Sequence, residues 1–213
     1  MKQKLLAAVQ AVLTALVVLT GAIAVPILFR PFFFWPIGPM DLTESVGLSV
    51  QQIKDAYNAM MDYCIGLSGT FSAGVLPFSA EGMAHFADVR KLFVLDLWVL
   101  DVAVPLLIAV MLLRKKNPVR LAGHTPGFWS AVGLGTAFAV IGGLAALDFN
   151  RAFVVFHQLF FPGKSNWIFD GRTDPIIYML PEEFFRNCAL LILAGILLGC
   201  GGLLLWDKKK RKE

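Results

Sequence analysis

Leu5-Leu6-Ala7-Ala8-Val9-Gln10-Ala11-Val12-Leu13-Thr14-Ala15-Leu16-Val17-Val18-Leu19-Thr20-Gly21-Ala22-Ile23-Ala24-Val25-Pro26-Ile27-Leu28-Phe29 contains no charged side chain. A helix needs about 20 apolar residues to cross the hydrocarbon core of a bilayer. Met1-Lys2-Gln3-Lys4 in front of it imitates the positive start of a secretory signal peptide. The run is too long for the apolar part of such a signal, about 7–15 residues. No small-residue cleavage site follows. Arg30-Pro31-Phe32-Phe33-Phe34-Trp35-Pro36 follows instead, an aromatic cluster suited to a membrane–water interface. The segment therefore reads as a retained span that also targets the chain.

Three further stretches behave alike: 92–113, which carries Asp96 and Asp101, then 128–147 and 188–206. Composition agrees, with 57% hydrophobic and only 16% charged residues, against roughly a quarter charged in soluble domains. The expected fold is an all-α membrane protein, residues 1–213 forming one membrane domain. Four transmembrane helices, 5–29, 92–113, 128–147 and 188–206, carry a cap of short helices and loops from 30–91 and 148–187. Lys2 and Lys4, then Arg114, Lys115, Lys116 and Arg120, then Lys208 to Lys212 alternate correctly to share one side. The positive-inside rule makes that side cytoplasmic. A multi-pass protein of the bacterial cell membrane results, with both termini inside and both long segments outside. The net charge of +4 follows from this topology and anionic inner-leaflet lipid. No basic stripe interleaved with aromatics marks a nucleic-acid binder. Three cysteines, Cys188 and Cys200 within a span and Cys64 outside, provide no disulfide framework. Cys64 reads as a small buried hydrophobe.

Within 30–91, Ser49-Val50-Gln51-Gln52 has the form of a capping box. Ile53, Tyr57, Met60, Cys64 and Leu67 then follow at helical spacing. Residues 66–77 read as a loop. A helix starting near Ser79 should run into the second span, with His85, Asp88, Leu92 and Asp96 on one face. Asp96 is costly at membrane depth unless that face points to something polar. Asp101 lies opposite and needs a different partner. In 148–187, Asp170-Gly171-Arg172 is a turn, and Pro181-Glu182-Glu183 starts the helix into the last span. Gly195 and Gly199 fit close helix approach.

Of three histidines, His124 falls on the cytoplasmic side with a structural role. His85 and His157 fall together on the opposite side, where imidazole can exchange protons near neutral pH. Asp88 shares the face of His85; Asp148, Asp170 and Asp174 are candidates to orient His157. Zinc would use His and carboxylates, but no His-Glu-x-x-His and no third outer histidine occurs, so no metal and no cofactor is expected. No Gly-x-Ser-x-Gly supports a serine hydrolase. Arg90, Arg151, Arg172 and Arg186 could polarise a carbonyl, with ion pairing or headgroup contact as the plainer role. Tyr63 and Tyr178 could donate a hydrogen bond, with interfacial anchoring as the plainer role.

Gly82-Met83-Ala84-His85-Phe86-Ala87-Asp88-Val89-Arg90 and Phe156-His157-Gln158-Leu159-Phe160-Phe161 resemble motifs of the bacterial lipoprotein intramolecular transacylases. So do Trp167-Ile168-Phe169-Asp170, Ile176-Ile177-Tyr178-Met179-Leu180-Pro181 and Phe184-Phe185, within the four-span layout. The resemblance implies a diacylglyceryl lipoprotein as substrate, presented in membrane lipid. The sn-2 acyl chain would move from the S-diacylglyceryl group to the α-amino group of the N-terminal cysteine, giving lyso-form lipoprotein. Such ester aminolysis needs a base for the amine, a donor for the carbonyl oxygen and an acid for the departing alkoxide. His85 and His157 are the expected catalytic pair, with His157 as base and an acyl-imidazole on His157 as the alternative route. Asp88, Asp96, Tyr63, Arg151, Asp170 and Asp174 are the expected supporting or substrate-binding residues. No oligomeric state is assigned. The rival function is a non-enzymatic membrane scaffold or a lipid-binding assembly factor, which would need the polar residues only for docking.

Overall fold

The computed structural model describes residues 2–115 and 118–212, so Lys116 of the basic cluster lies outside the described residues. Among the described residues the regular structure is helical: α1 Lys2–Leu28, α2 Pro31–Phe34, a 3-10 turn Trp35–Ile37, α3 Leu42–Val46, α4 Val50–Cys64, α5 Ala80–Arg114, α6 Pro126–Leu147, α7 Phe149–Phe160, α8 Ile176–Met179 and α9 Glu182–Lys210. Helices α1, α5, α6 and α9 are long and apolar enough to cross a membrane. The chain divides into two compact units. One is Met1–Val25, Asp96–Leu147 and Leu190–Glu213; the other is Pro26–Leu95 and Asp148–Ala189.

The first unit is held by close approach of small residues. Ala22, Ala131, Ile196 and Cys200 form its buried centre, flanked by Leu19, Leu134, Phe138, Ile192 and Leu203. A Cβ on Gly195 would stand 3.2 Å from that of Ala22, and one on Gly199 would stand 2.9 Å from Val18 Cγ1. The expected small-residue pair thus lets α9 approach α1 closely, where van der Waals packing substitutes for a hydrophobic drive that lipid does not supply. Ser130 Oγ on α6 donates to the Ala11 carbonyl of α1 at 2.6 Å. Asp207, almost wholly buried, accepts the Thr125 N–H at 2.7 Å and lies 2.9 Å from His124 Nδ1. The His124 ring stacks on Phe128 at 3.7 Å, so its role is the structural one expected. Arg114 donates to Gln10 Oε1 and to the Val119 carbonyl.

Asp96 and Asp101 both belong to this first unit. Asp96 Oδ2 is buried with no hydrogen-bond partner among the described residues. Asp101 is exposed on a shallow groove with Leu97, Leu100, Val104 and Pro105.

The second unit is built on aromatic packing. Phe33 stacks on Tyr57 at 3.8 Å, and Phe184 meets both edge-on at 5.2 and 6.2 Å. Truncating such a ring costs roughly 3–5 kcal/mol. Arg30 closes the end of the first long helix onto α4, donating to the Asn58 carbonyl at 3.0 Å and to Asp62 Oδ1 at 2.8 Å. Helix α4 starts as its sequence prescribes: Gln52 N–H donates to Ser49 Oγ, and Ser49 N–H to Gln52 Oε1. Ile53, Tyr57, Met60 and Cys64 are its buried face. Leu67 is not part of that face. The helix ends at Cys64, and Leu67 is 76% exposed in the turn beyond it.

One helix went unforeseen. No element was assigned to the start of segment 148–187, and α7 occupies Phe149–Phe160, N-capped by Asp148 Oδ1 accepting the Arg151 N–H at 2.9 Å. Phe149, Phe153, Phe156 and Phe160 at spacings of four, three and four were its sequence signal.

Candidate active site

His85 lies on the second turn of α5 and His157 near the end of α7, both in the second unit. They are 5% and 8% exposed, and their ring centroids are 5.9 Å apart. Phe161 packs beside both, with its centroid 5.0 Å from His85 and 5.7 Å from His157. Phe169 meets His85 edge-on at 5.5 Å. Trp167 and Phe153 lie 4.8 and 4.2 Å from the His157 ring. The two histidines therefore share one aromatic pocket.

That pocket sets their protonation. Burial pushes His85 down to about 4, helped by the neighbouring His157 and Lys164 and opposed by Asp88. Burial also lowers His157, against a partly compensating bond to the Phe153 carbonyl. Both rings are neutral at pH 7. His157 Nδ1 is 2.8 Å from the Phe153 carbonyl oxygen. A carbonyl only accepts, so Nδ1 carries the hydrogen and Nε2 keeps its lone pair. His85 Nδ1 is buried and has no hydrogen-bond partner among the described residues.

The carboxylates do other work than the spacing suggested. Asp88 does not bond His85. Its Oδ1 accepts from Lys91 Nζ at 3.0 Å, while Oδ2 accepts from Lys164 Nζ and from Asn166 Nδ2 at 3.3 Å. Burial alone would raise this carboxyl; bonds from Lys164, Lys91 and Asn166 outweigh it and hold the group at about 2. Asp88 thus ties the loop bearing Trp167 and Phe169 to α5. Asp148 caps α7 and Asp170 pairs with Arg172 at 2.7 Å. Asp174, 3% exposed, accepts the Ser79 N–H at 2.8 Å and the Thr173 hydroxyl at 2.7 Å. None of these three makes the expected bond to His157. The orienting acceptor is a main-chain carbonyl on the residue's own helix, which no residue type advertises.

Tyr63 packs edge-on to Phe71 at 5.4 Å, with the Arg90 guanidinium 4.8 Å from its ring centroid. Arg90 also donates to the Ser68 carbonyl at 2.6 Å. Arg151 is exposed on the first turn of α7. Cys64 is buried, and burial pushes its thiol up to about 12 against the pull of Arg90 and Arg30. That suits an inert core residue, not a nucleophile. Among the described residues no three His, Cys, Asp or Glu side chains gather as a metal site would need. Lys164 and Asn166 were not picked out from sequence. A lysine and an asparagine after Gly163 signal only a turn, whose glycine has φ +73°.

A cavity of about 220 Å³, with Ile168 and Phe169 in its wall beside several polar side chains, shares Phe169 with the surroundings of His85.

Residues 8–185 match a family model described as lipoprotein intramolecular transacylase Lit. The in meso structure of the membrane integral lipoprotein intramolecular transacylase Lit from Bacillus cereus is similar over 99% of this chain and 98% of that one, with TM-score 0.87 and 26% identity. Two structures of that enzyme with a histidine substitution, H85R and H85A in its own numbering, match at 25% identity with TM-scores of 0.78 and 0.79. They cover 99% of this chain and 94% and 96% of theirs, respectively. No curated protein matches the chain.

Proposed function

We infer the chemistry from one premise: the chain belongs to the lipoprotein intramolecular transacylase (Lit) family, and it is a membrane-integral acyltransferase. The reaction moves an acyl chain within one lipoprotein. The ester carbon at the sn-2 position of the S-diacylglyceryl group is attacked by the α-amino nitrogen of the N-terminal cysteine. A C–N bond forms, the C–O bond breaks, and one proton passes from nitrogen to the sn-2 oxygen. The product is the lyso-form lipoprotein.

The observation that carries this reading is the His157 bond to the Phe153 carbonyl, with His85 beside it. His157 Nε2, held as an acceptor, takes the proton from the attacking amine. The resulting imidazolium then gives it to the departing sn-2 oxygen. His85, neutral and close by, supplies an N–H to the carbonyl oxygen as negative charge develops there. Nucleophile and ester belong to one molecule, so holding them aligned contributes through proximity. The aromatic walls keep water from competing for the ester.

The distribution of Lys and Arg supports cytoplasmic termini and an extracytoplasmic active site in the bacterial cell membrane. There a lipoprotein freed of its signal peptide presents its amine. Asp88 in this reading is a positioning residue for the loop around the histidines, while membrane lipid bathes the substrate's chains.

The test is His157→Ala and His85→Ala, scored by mass spectrometry of lipoprotein N-termini. Removing a general base costs about 100-fold or more. His157→Ala should abolish detectable lyso-form, and His85→Ala should reduce it strongly. Wild-type yields from both variants would overturn the two-histidine mechanism.

A further inference from the structure

We propose that the cavity beside the histidines is the subsite for the lipoprotein's peptide, receiving the residues that follow its N-terminal cysteine; this rests on the transacylase reading above. The cavity measures about 220 Å³ and has Glu81, Gly82, Asn166, Phe169, Asp170 and Asp174 among its walls. That is room for about seven waters at roughly 30 Å³ each. Ile168 and Phe169 share its walls with three carboxylates and an amide. A methylene chain would strip water from those carboxylates without return, whereas a peptide brings amides for the polar wall and side chains for the apolar one. An acyl chain does not belong there; a short peptide does.

Its position fits the same occupant. Phe169 is shared, forming cavity wall on one account and lying 5.5 Å from the His85 ring on the other. Gly82 is one helical turn before His85, so the cavity begins where the histidine face ends. With the substrate's α-amine at the histidines, its chain must leave within one or two residues, and consecutive Cα atoms are about 3.8 Å apart. Residues two and three then fall in the cavity.

Asn166 supplies the recognition element. Its Nδ2 is committed to Asp88, while its Oδ1 is buried with no hydrogen-bond partner among the described residues. A buried acceptor left empty is destabilising, and a backbone N–H of the incoming peptide would satisfy it. The carboxylates set the charge preference. Asp174 is occupied by Ser79 and Thr173, and Asp170 by Arg172, whereas Glu81 is exposed on the first turn of α5. Acidic residues at positions two and three of the lipoprotein should be disfavoured.

The experiment compares three synthetic substrates with the full-length enzyme in proteoliposomes: S-diacylglyceryl-cysteine amide, an S-diacylglyceryl-cysteinyl-diserine peptide, and the same peptide with two aspartates in place of the serines. Wild-type enzyme should show kcat/KM at least tenfold higher for the serine peptide than for the amide, and about tenfold lower for the aspartate peptide than for the serine one. Asn166→Leu should shrink the peptide-to-amide ratio about tenfold. Glu81→Lys, which is independent of the Asp88 cluster, should remove or invert the penalty on aspartate. Equal turnover of amide and serine peptide by wild type, or ratios that neither variant moves, would overturn the subsite while leaving the transacylase intact. No turnover of any substrate by wild type would overturn both.

Discussion

In the proposed mechanism, one main-chain contact decides the role of His157. The usual orienter of a basic imidazole is a carboxylate, and the chain offers Asp148, Asp170 and Asp174 nearby in sequence. The folded protein uses the Phe153 carbonyl instead. A neutral carbonyl fixes the tautomer and draws the ring toward the charged form less than burial drives it away, so the ring stays neutral. The pH dependence follows. The substrate amine, at about 8, gives log kcat/KM unit slope below that value. His157 is lowered from 6.5, so a second unit of slope should appear only below 6.5. Steady-state rates between pH 4.5 and 9 check this; a doubled slope already above 6.5 would contradict a buried neutral base. Stability has the same sign. Below pH 6.5 the unfolded chain takes up protons that the native histidines refuse, so stability falls as pH drops toward the His85 value of about 4.

At the scale of elements, α5 is positioned by its start. Ser79 Oγ accepts the Gly82 N–H at 2.9 Å, and the Asp174 carboxylate accepts the Ser79 N–H. Gly82 is required at this contact: a Cβ there would lie 2.1 Å from Asp174 Oδ1 and 3.1 Å from Phe169 Cε1. Helical propensity favours alanine over glycine by about 1 kcal/mol, yet Gly82→Ala should destabilise, because the pinned carboxylate cannot move aside. A lower Tm with reduced activity is expected; a Tm at or above wild type would show the contact to be slack. How much was legible also divides at this scale. The cap at Ser49, the start at Ser79 and the helix after Pro181 were readable because capping is a contract among residues three or four apart. Helix α7 was missed because its phenylalanines follow the third span almost without interruption. Leu67 was misassigned because periodicity alone does not mark the end of a helix.

Across the whole molecule, four apolar helices make the protein membrane-integral, and the sided distribution of Lys and Arg makes its orientation testable. In a background lacking native cysteines, Thr70→Cys should react with a membrane-impermeant maleimide on intact cells. Lys209→Cys should react only after permeabilisation. Both positions are exposed; the reverse pattern would put the histidines on the cytoplasmic side and overturn the proposed site of reaction.

Apolar length, the alternation of basic clusters and the two histidine motifs are properties of the chain read in order, so the sequence alone determined the class, the four spans and the family resemblance. What only the tertiary structure decided is which groups meet. His85 and His157 come within 5.9 Å, Lys164 reaches Asp88 from 76 residues away, and Asp174 serves the start of α5 instead of a histidine. Loop paths and ring packing bring these about, and neither has a period. A carboxylate advertises only that it can accept a hydrogen bond. Which donor reaches it is settled by burial, since in a closed pocket each polar atom takes the partner that the surrounding rings leave within reach.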